Sequence, residues 1–230
     1  VNLFYQSKLA EGFLQLDETE SQHAIKVLRH QPGDVIPVTD GKGSLYFCKI
    51  TSIEKKTCAL SIQRTEKKSK PAHHIHIAMA PTKSSDRTEW FVEKATEIGI
   101  QEITFLQTQR SERQKLNIER MEKVAVSAIK QSGQVWLPEI NGMVDLKVIL
   151  KAQADQKFIA HVDVNVKHLK EMVSSNKSYL VLIGPEGDFT NDEVLEASDA
   201  GYQSVSLGNN TLRTETAGLA ACQILNLIQL

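Results

Sequence analysis

Leu182-Ile183-Gly184-Pro185-Glu186-Gly187-Asp188-Phe189-Thr190 and Leu207-Gly208-Asn209-Asn210-Thr211-Leu212-Arg213-Thr214-Glu215-Thr216 are the stretches that decide how this chain folds. Each follows a short apolar run, Tyr179 to Ile183 and Ser204 to Leu207, of the kind that makes a strand buried on both faces. Open parallel sheets bind ligands beyond the carboxyl ends of their strands. The two loops therefore read as walls of one cleft, at adjacent strand ends. Glycines at 184, 187 and 208 let the main chain approach a ligand closely. Such a loop can read the edge of an adenine ring with backbone groups alone.

Working outward, the chain after residue 70 alternates strand and helix. Ile75 to Ala80, Ile103 to Leu106 and Phe158 to Val162 read as further strands. Asp86 to Ile98 reads as a helix with Trp90, Phe91, Lys94, Ala95 and Ile98 near one face. Glu119 to Ser132 sets Met121, Val124, Ala125, Ala128 and Ile129 on one amphipathic stripe. Thr190-Asn191-Asp192-Glu193 has the form of a capping box. A last helix, Thr216 to Ile228, is expected to pack through Leu219, Ala220, Ile224, Leu227 and Ile228. The alternation predicts an α/β domain over 71–230 with a mostly parallel sheet.

Residues 1–70 have a different rhythm. Val35 to Thr39, Leu45 to Ile53 and Cys58 to Arg64 alternate apolar and polar positions, with turn residues at Asp40-Gly41-Lys42-Gly43 and Lys55-Lys56-Thr57. A small antiparallel β-barrel with a short helix over 18–28 is expected. The charged stretch Arg64 to Pro71 reads as the linker between the two domains.

The 230 residues are 41% hydrophobic and 24% charged, which excludes disordered and collagen-like classes. No apolar run approaches the ~20 residues of a membrane span, and a cytoplasmic protein is expected. The net charge of -1 conceals a first third at +3 and a last hundred residues at -5, so a polyanion would be gripped by the N-terminal part. Cys48, Cys58 and Cys222 are scattered and read as buried thiols, although the first two could face each other on neighbouring strands.

Neither glycine loop is a Walker or Rossmann phosphate cradle, and no Gly-x-Ser-x-Gly elbow occurs. That argues against nucleotide hydrolysis, dinucleotide oxidoreduction and serine hydrolysis. His73-His74-x-His76 puts two histidines on one face of a strand but has no further ligand near in sequence, so no metal is expected. His161, at a strand's carboxyl end, and Glu186, Asp188 and Glu215 are candidate site residues; Glu215 is also placed to favour a helix dipole.

The two loops closely resemble the ribosomal RNA small subunit methyltransferase E family of the SPOUT superfamily. Supporting segments run along nearly the whole chain: His23 with Val27-Leu28-Arg29 and Gly33-Asp34, Lys83 with Asp86-Arg87 and Glu89-Trp90, and Lys94 to Gly99. Arg110-Ser111 and Gln131-Ser132 with Pro138 complete them. The resemblance implies a PUA-like barrel over 1–70 and a SPOUT α/β domain with a deep trefoil knot over 71–230. It also implies a homodimer that uses S-adenosylmethionine to methylate ring nitrogen 3 of a uridine in 16S ribosomal RNA of the small subunit. His161, Gly184, Pro185, Glu186, Gly187, Leu207, Gly208, Leu212 and Thr214 would then bind the cofactor. Arg213, with Glu215 or Glu97, would serve catalysis, and Lys26, Arg29, Lys94 and Arg110 would grip RNA. The chain departs from the family pattern at Asp188, where a second glycine is common, at Asn209-Asn210-Thr211, and at Gln134. Another RNA target, or RNA binding without catalysis, are the competing readings.

Overall fold

A pleated strand turns alternate side chains to opposite faces, and the alternating first third of the chain folds accordingly. The computed structural model describes residues 2–162 and 166–229. Its first strands are β1 (Phe4–Tyr5), β2 (Val35–Thr39), β3 (Ser44–Glu54) and β4 (Thr57–Lys67). They form one sheet in that order, antiparallel from β2 to β4, with the short β1 parallel to β2. Tyr46, Cys48 and Ile50 of β3 and Cys58 and Leu60 of β4 point into a core with Phe4, Leu9, Leu16, Ile36 and Val38.

Two local expectations are corrected and a third is sharpened. The charged residues 64–67 finish β4 rather than forming a linker: Arg64 pairs with Phe47 and lies over its ring, 4.1 Å from the centroid. Ladder hydrogen bonds need only the backbone, so an exposed strand end can be fully polar. The helix over 18–28 is α1 (Glu18–Gln22), capped by Asp17, which runs on into a π-helical turn at His23–Val27. Cys48 and Cys58 are buried but stand opposite Ile62 and Ile53, not each other.

The compact units are Val1–Lys70 with Val126–Leu137, and Pro71–Ala125 with Pro138–Leu230. Segment 126–137, expected within the second domain, folds with the first for a specific reason. The Gly43 N–H donates to the Val135 carbonyl and the Leu137 N–H to that of Gly41. Gly43 holds φ at +96°, and a Cβ there would stand 2.2 Å from the Trp136 ring, so only glycine admits the indole.

In the second unit, six strands lie parallel in the order β10-β8-β9-β5-β6-β7. They are β5 (His74–Met79), β6 (Glu102–Gln107), β7 (Glu139–Asp145), β8 (Gln156–Ala160), β9 (Ser178–Ile183) and β10 (Gln203–Val205). The helices after residue 70 are α2 (Ser85–Ile98), α3 (Ile118–Ser132), of which the part from Val126 belongs to the first unit, α4 (Leu146–Ile149), α5 (Leu169–Met172), α6 (Asn191–Asp199) and α7 (Thr214–Leu227). Strand β7 and the one-turn helices α4 and α5 have no clear periodicity and were not expected. Thr190 and Glu193 form the predicted capping box on α6.

Of the expected faces, α2 buries Phe91 and Ala95 but is rotated away from Trp90, and α7 buries another face altogether. In α2 the buried face is Thr88, Phe91, Val92, Ala95 and Thr96, while Trp90 is 40% exposed. In α7 it is Gly218, Ala221, Cys222 and Leu225, with Leu219, Ala220 and Ile224 only half-buried and Leu227 exposed. Gly218 decides the second case, because a Cβ there would meet the Phe91 ring at 2.7 Å and Met79 Sδ at 3.2 Å. The small residues let α7 close onto α2 and β5, and the larger ones are left outside.

At the amino end of the sheet, the histidine motif enters a polar network. His74 Nε2 lies 2.8 Å from Glu102 Oε2, and His76 Nε2 lies 2.7 Å from Thr104 Oγ1. Asn141 Nδ2 donates to Glu102 Oε1 and to Thr104 Oγ1. Among the described residues, no group of three or more His, Cys, Asp or Glu side chains could hold a metal. Burial pushes His76 down to about 4, with His74 adding repulsion, while His74 and His76 hold the Glu102 carboxyl below its usual range. An unfolded chain would protonate His76 near 6.5, so unfolding takes up a proton between those values. Stability is therefore full above about pH 6.5 and falls toward pH 4, by at most about 3 kcal/mol from this residue. Urea unfolding measured across that range should show the slope in the native chain and a flatter one in His76→Gln. Equal slopes would remove His76 as the cause.

Candidate cofactor and substrate cleft

Because the six strands are parallel, the segments leaving their carboxyl ends all emerge along one edge of the sheet. Strand order reverses direction between β5 and β9, the kind of switch point where such sheets open a crevice. A cleft of about 360 Å³ lies there, lined by Lys83, Ser84, Arg87, Glu112 and Glu186. The two glycine loops are not neighbours as expected. Strand β8 runs between β9 and β10, so His161 at its end stands between the loops, its Nε2 3.0 Å from Ser204 Oγ.

The 184–190 loop is tied on several sides. Gly184 and Pro185 are buried, and a Cβ on Gly184 would press on the Phe189 ring at 3.1 Å. Glu186 Oε1 accepts the Lys83 N–H at 3.0 Å. Asp188 has φ of +59°, where an L residue is strained and glycine is not. Its carboxylate offsets the strain locally: Oδ1 accepts the Phe189 N–H and Oδ2 accepts the Val162 N–H at 3.0 Å, tying the loop to the end of β8. Asp188 thus holds a backbone shape that favours glycine and adds a strut.

Across β8, Leu207 and Leu212 are half-buried, and Gly208 has φ of +144° with open space where a Cβ would lie. Thr214 is buried, and Arg213 is exposed at the N-cap of α7 with no cap hydrogen bond from its side chain. Glu215 is 7% exposed; its Oε1 lies 3.8 Å from Arg87 Nε, and its buried Oε2 has no hydrogen-bond partner. Arg87, Arg213 and Glu215 supply the charged groups on this side.

Other expected residues are elsewhere or otherwise engaged. Glu97 and Lys94 pair with each other near the carboxyl end of α2, 2.8 Å apart, and Glu93 also holds the ammonium. A helix returning from a parallel strand runs toward the amino edge of the sheet, and twelve residues carry it roughly 18 Å. Glu97 is therefore not in this chain's cleft, and the Lys94 ammonium is held by two carboxylates. Arg110, expected on RNA, donates from Nη1 to the carbonyls of Gly187 and Phe189 at 2.6 and 3.3 Å. Lys26 and Arg29 are exposed on the first unit. Lys83, Arg87 and Arg113 were not singled out for roles; the strand-end rule applied to β5 and β6 as well would have found them.

A model of the RNA methyltransferase domain matches residues 68–226, and one of an RNA methyltransferase PUA domain matches residues 16–63. The ribosomal RNA small subunit methyltransferase E of Rickettsia conorii is 30% identical over 95% of this chain and 92% of its own. A chain from Porphyromonas gingivalis, described as a probable rRNA-methyltransferase, superposes with a TM-score of 0.95 at 39% identity, covering 100% of this chain and 98% of that one. A ribosomal RNA small subunit methyltransferase E from Neisseria gonorrhoeae, bound to S-adenosyl methionine, gives 0.87 at 25% identity, over 100% and 98%.

Replacing Asp188 separates its two roles. Asp188→Gly loses the struts but relieves the backbone, whereas Asp188→Ala loses the struts and retains an αL cost of about 1 kcal/mol. Thermal denaturation should rank native above glycine above alanine. Alanine equal to or above glycine would show that αL strain is not what the carboxylate offsets.

Proposed function

Because the chain belongs to the ribosomal RNA small subunit methyltransferase E family, we propose that it methylates ring nitrogen 3 of a uridine in 16S ribosomal RNA. S-adenosylmethionine-dependent methylation of ribosomal RNA is the coarser activity, carried by the family; the nitrogen and the base are our reading. One observation carries it. Glycine loops 184–190 and 206–213 flank His161 on one edge of the sheet, with an exposed Arg213 and a buried, half-satisfied Glu215 beside them.

In this reading His161, Gly184, Pro185, Glu186, Gly187, Leu207, Gly208, Leu212 and Thr214 would hold S-adenosylmethionine, which when bound supplies an activated methyl group. The protein's own task is then mainly positioning. A uridine N3 carries a proton at neutral pH, so the site must also favour its loss. Arg213, exposed and uncommitted to a cap, stabilises the anionic ring or its phosphate in this reading. Glu215, whose Oε2 has no partner, is the better proton acceptor of the two carboxylates considered, because Glu97 lies at the other end of α2.

RNA is held in this reading through exposed Lys26 and Arg29, and its affinity should weaken with salt. The half-buried and exposed face of α7, Leu219, Ala220, Ile224 and Leu227, supports a homodimer, since contiguous apolar surface of this kind marks interaction sites. The assembled small subunit is the proposed substrate and the cytoplasm the proposed compartment.

Arg213→Ala should lower methyl transfer to small subunits by about a hundredfold with the melting temperature unchanged. Near-native turnover would remove Arg213 from the chemistry. Mass spectrometry of the product RNA tests the address: methyl on another base, or on transfer RNA, would replace the uridine reading. In sedimentation, Leu227→Glu should shift a dimer toward monomer; an unchanged mass would place the interface elsewhere.

A further inference from the structure

We propose that Arg110 and Arg113 are positioning residues: a two-armed brace, rooted beyond β6, that fixes the backbone of the two loops forming the cleft. The inference rests on the methyltransferase reading for its functional consequence, not for its geometry. Arg110 Nη1 donates to the carbonyls of Gly187 and Phe189, at 2.6 and 3.3 Å. Three residues on, Arg113 reaches the loop before α2, donating from Nε to the Thr82 carbonyl at 3.1 Å and from Nη2 to the Lys83 carbonyl at 2.6 Å. The two braced loops are joined to each other by the Lys83 N–H on Glu186. The three segments therefore form a closed hydrogen-bonded triangle.

The root of the brace is itself fixed. Thr108 and Ser111 close a turn through the Thr108 N–H on Ser111 Oγ, the Ser111 N–H on the Thr108 carbonyl, and a hydroxyl pair at 2.8 Å. The Gln109 N–H donates to Glu193 Oε1, whose other oxygen completes the cap of α6. A loop carbonyl outside any ladder needs a donor, and one guanidinium can serve two carbonyls from a fixed plane, which an ammonium on a flexible stem does less well. Gly187 packs under the brace, since a Cβ there would meet Arg110 Cδ at 3.4 Å. Arg110 is thereby a backbone splint for the cofactor loop rather than a free cation for RNA.

Hydrogen–deuterium exchange on the full-length, ligand-free protein tests this directly, because the amides of Asp188, Phe189 and Thr190 are themselves hydrogen-bonded. In Arg110→Ala their exchange should rise about tenfold or more, as expected for losing charge-assisted bonds, while strand β5 exchanges as in the native chain. Arg113→Ala should do the same for the amides of Thr82 and Lys83. Arg110→Lys should recover only part of the protection, and Arg120→Ala, which removes only the surface pair with Glu89, should change neither loop. Calorimetry should then show S-adenosylmethionine affinity reduced about tenfold in Arg110→Ala, with RNA affinity and its salt slope unchanged. Native exchange in both loops of the alanine variants overturns the brace, as does a reduced RNA salt slope with cofactor affinity intact. If an alanine variant does not fold, Arg110→Lys and Arg113→Lys carry the test, and protection equal to native in both overturns the brace. A native protein that binds no S-adenosylmethionine would instead sink the methyltransferase reading, while the exchange data still decide the brace.

Discussion

Parallel strands impose one constraint on everything built around them: their carboxyl ends must share an edge. Here six strands meet that condition, and segments distant in sequence, around residues 82, 110, 161, 186 and 208, are delivered to one line. Each arrives with backbone groups that no ladder satisfies. Much of the local chemistry is a response to that deficit. Glu186, Asp188 and Glu193 accept N–H groups of neighbouring segments, and Arg110 and Arg113 donate to their carbonyls.

That division separates structural charge from charge free for chemistry. A carboxylate accepting backbone amides, or a guanidinium spread over two carbonyls, is already committed. By that criterion Glu186 and Asp188 are struts, Lys94 and Glu97 are an ion pair on a helix surface, and Arg110 is a splint. Arg213 and Glu215 stand apart: one is exposed at a helix start, the other buried with an unpartnered oxygen. Arg87, part of the cleft lining, lies 3.8 Å from Glu215. The opposite edge of the sheet differs in kind, since the network around Glu102 satisfies its members internally and belongs to stability.

Much of this was legible in the sequence for identifiable reasons. Buried parallel strands are continuous apolar runs, so β5, β6, β8 and β9 announced themselves within a residue or two. The capping box at Thr190 is local chemistry and needs no tertiary context. Alternation exposed β2 to β4, but composition mistook the polar end of β4 for a linker because ladder bonds do not depend on side chains. Strand β7 and the single turns α4 and α5 are too short or too evenly half-buried to carry a period.

The residue pattern by itself determined most of the element types, the change of rhythm near Lys70, the glycine loops at strand ends and, through its motifs, the family. Tertiary structure alone decided the strand order that sets β8 and His161 between those loops, and the transfer of 126–137 to the first unit by Trp136 seated on Gly43. It alone chose the face α7 buries, since only the packed neighbours Phe91 and Met79 make Gly218 obligatory. It alone showed which charges are spent on the backbone. Local sequence encodes a residue's preferred shape, whereas its electrostatic partners lie dozens of residues away and exist only once the chain has folded.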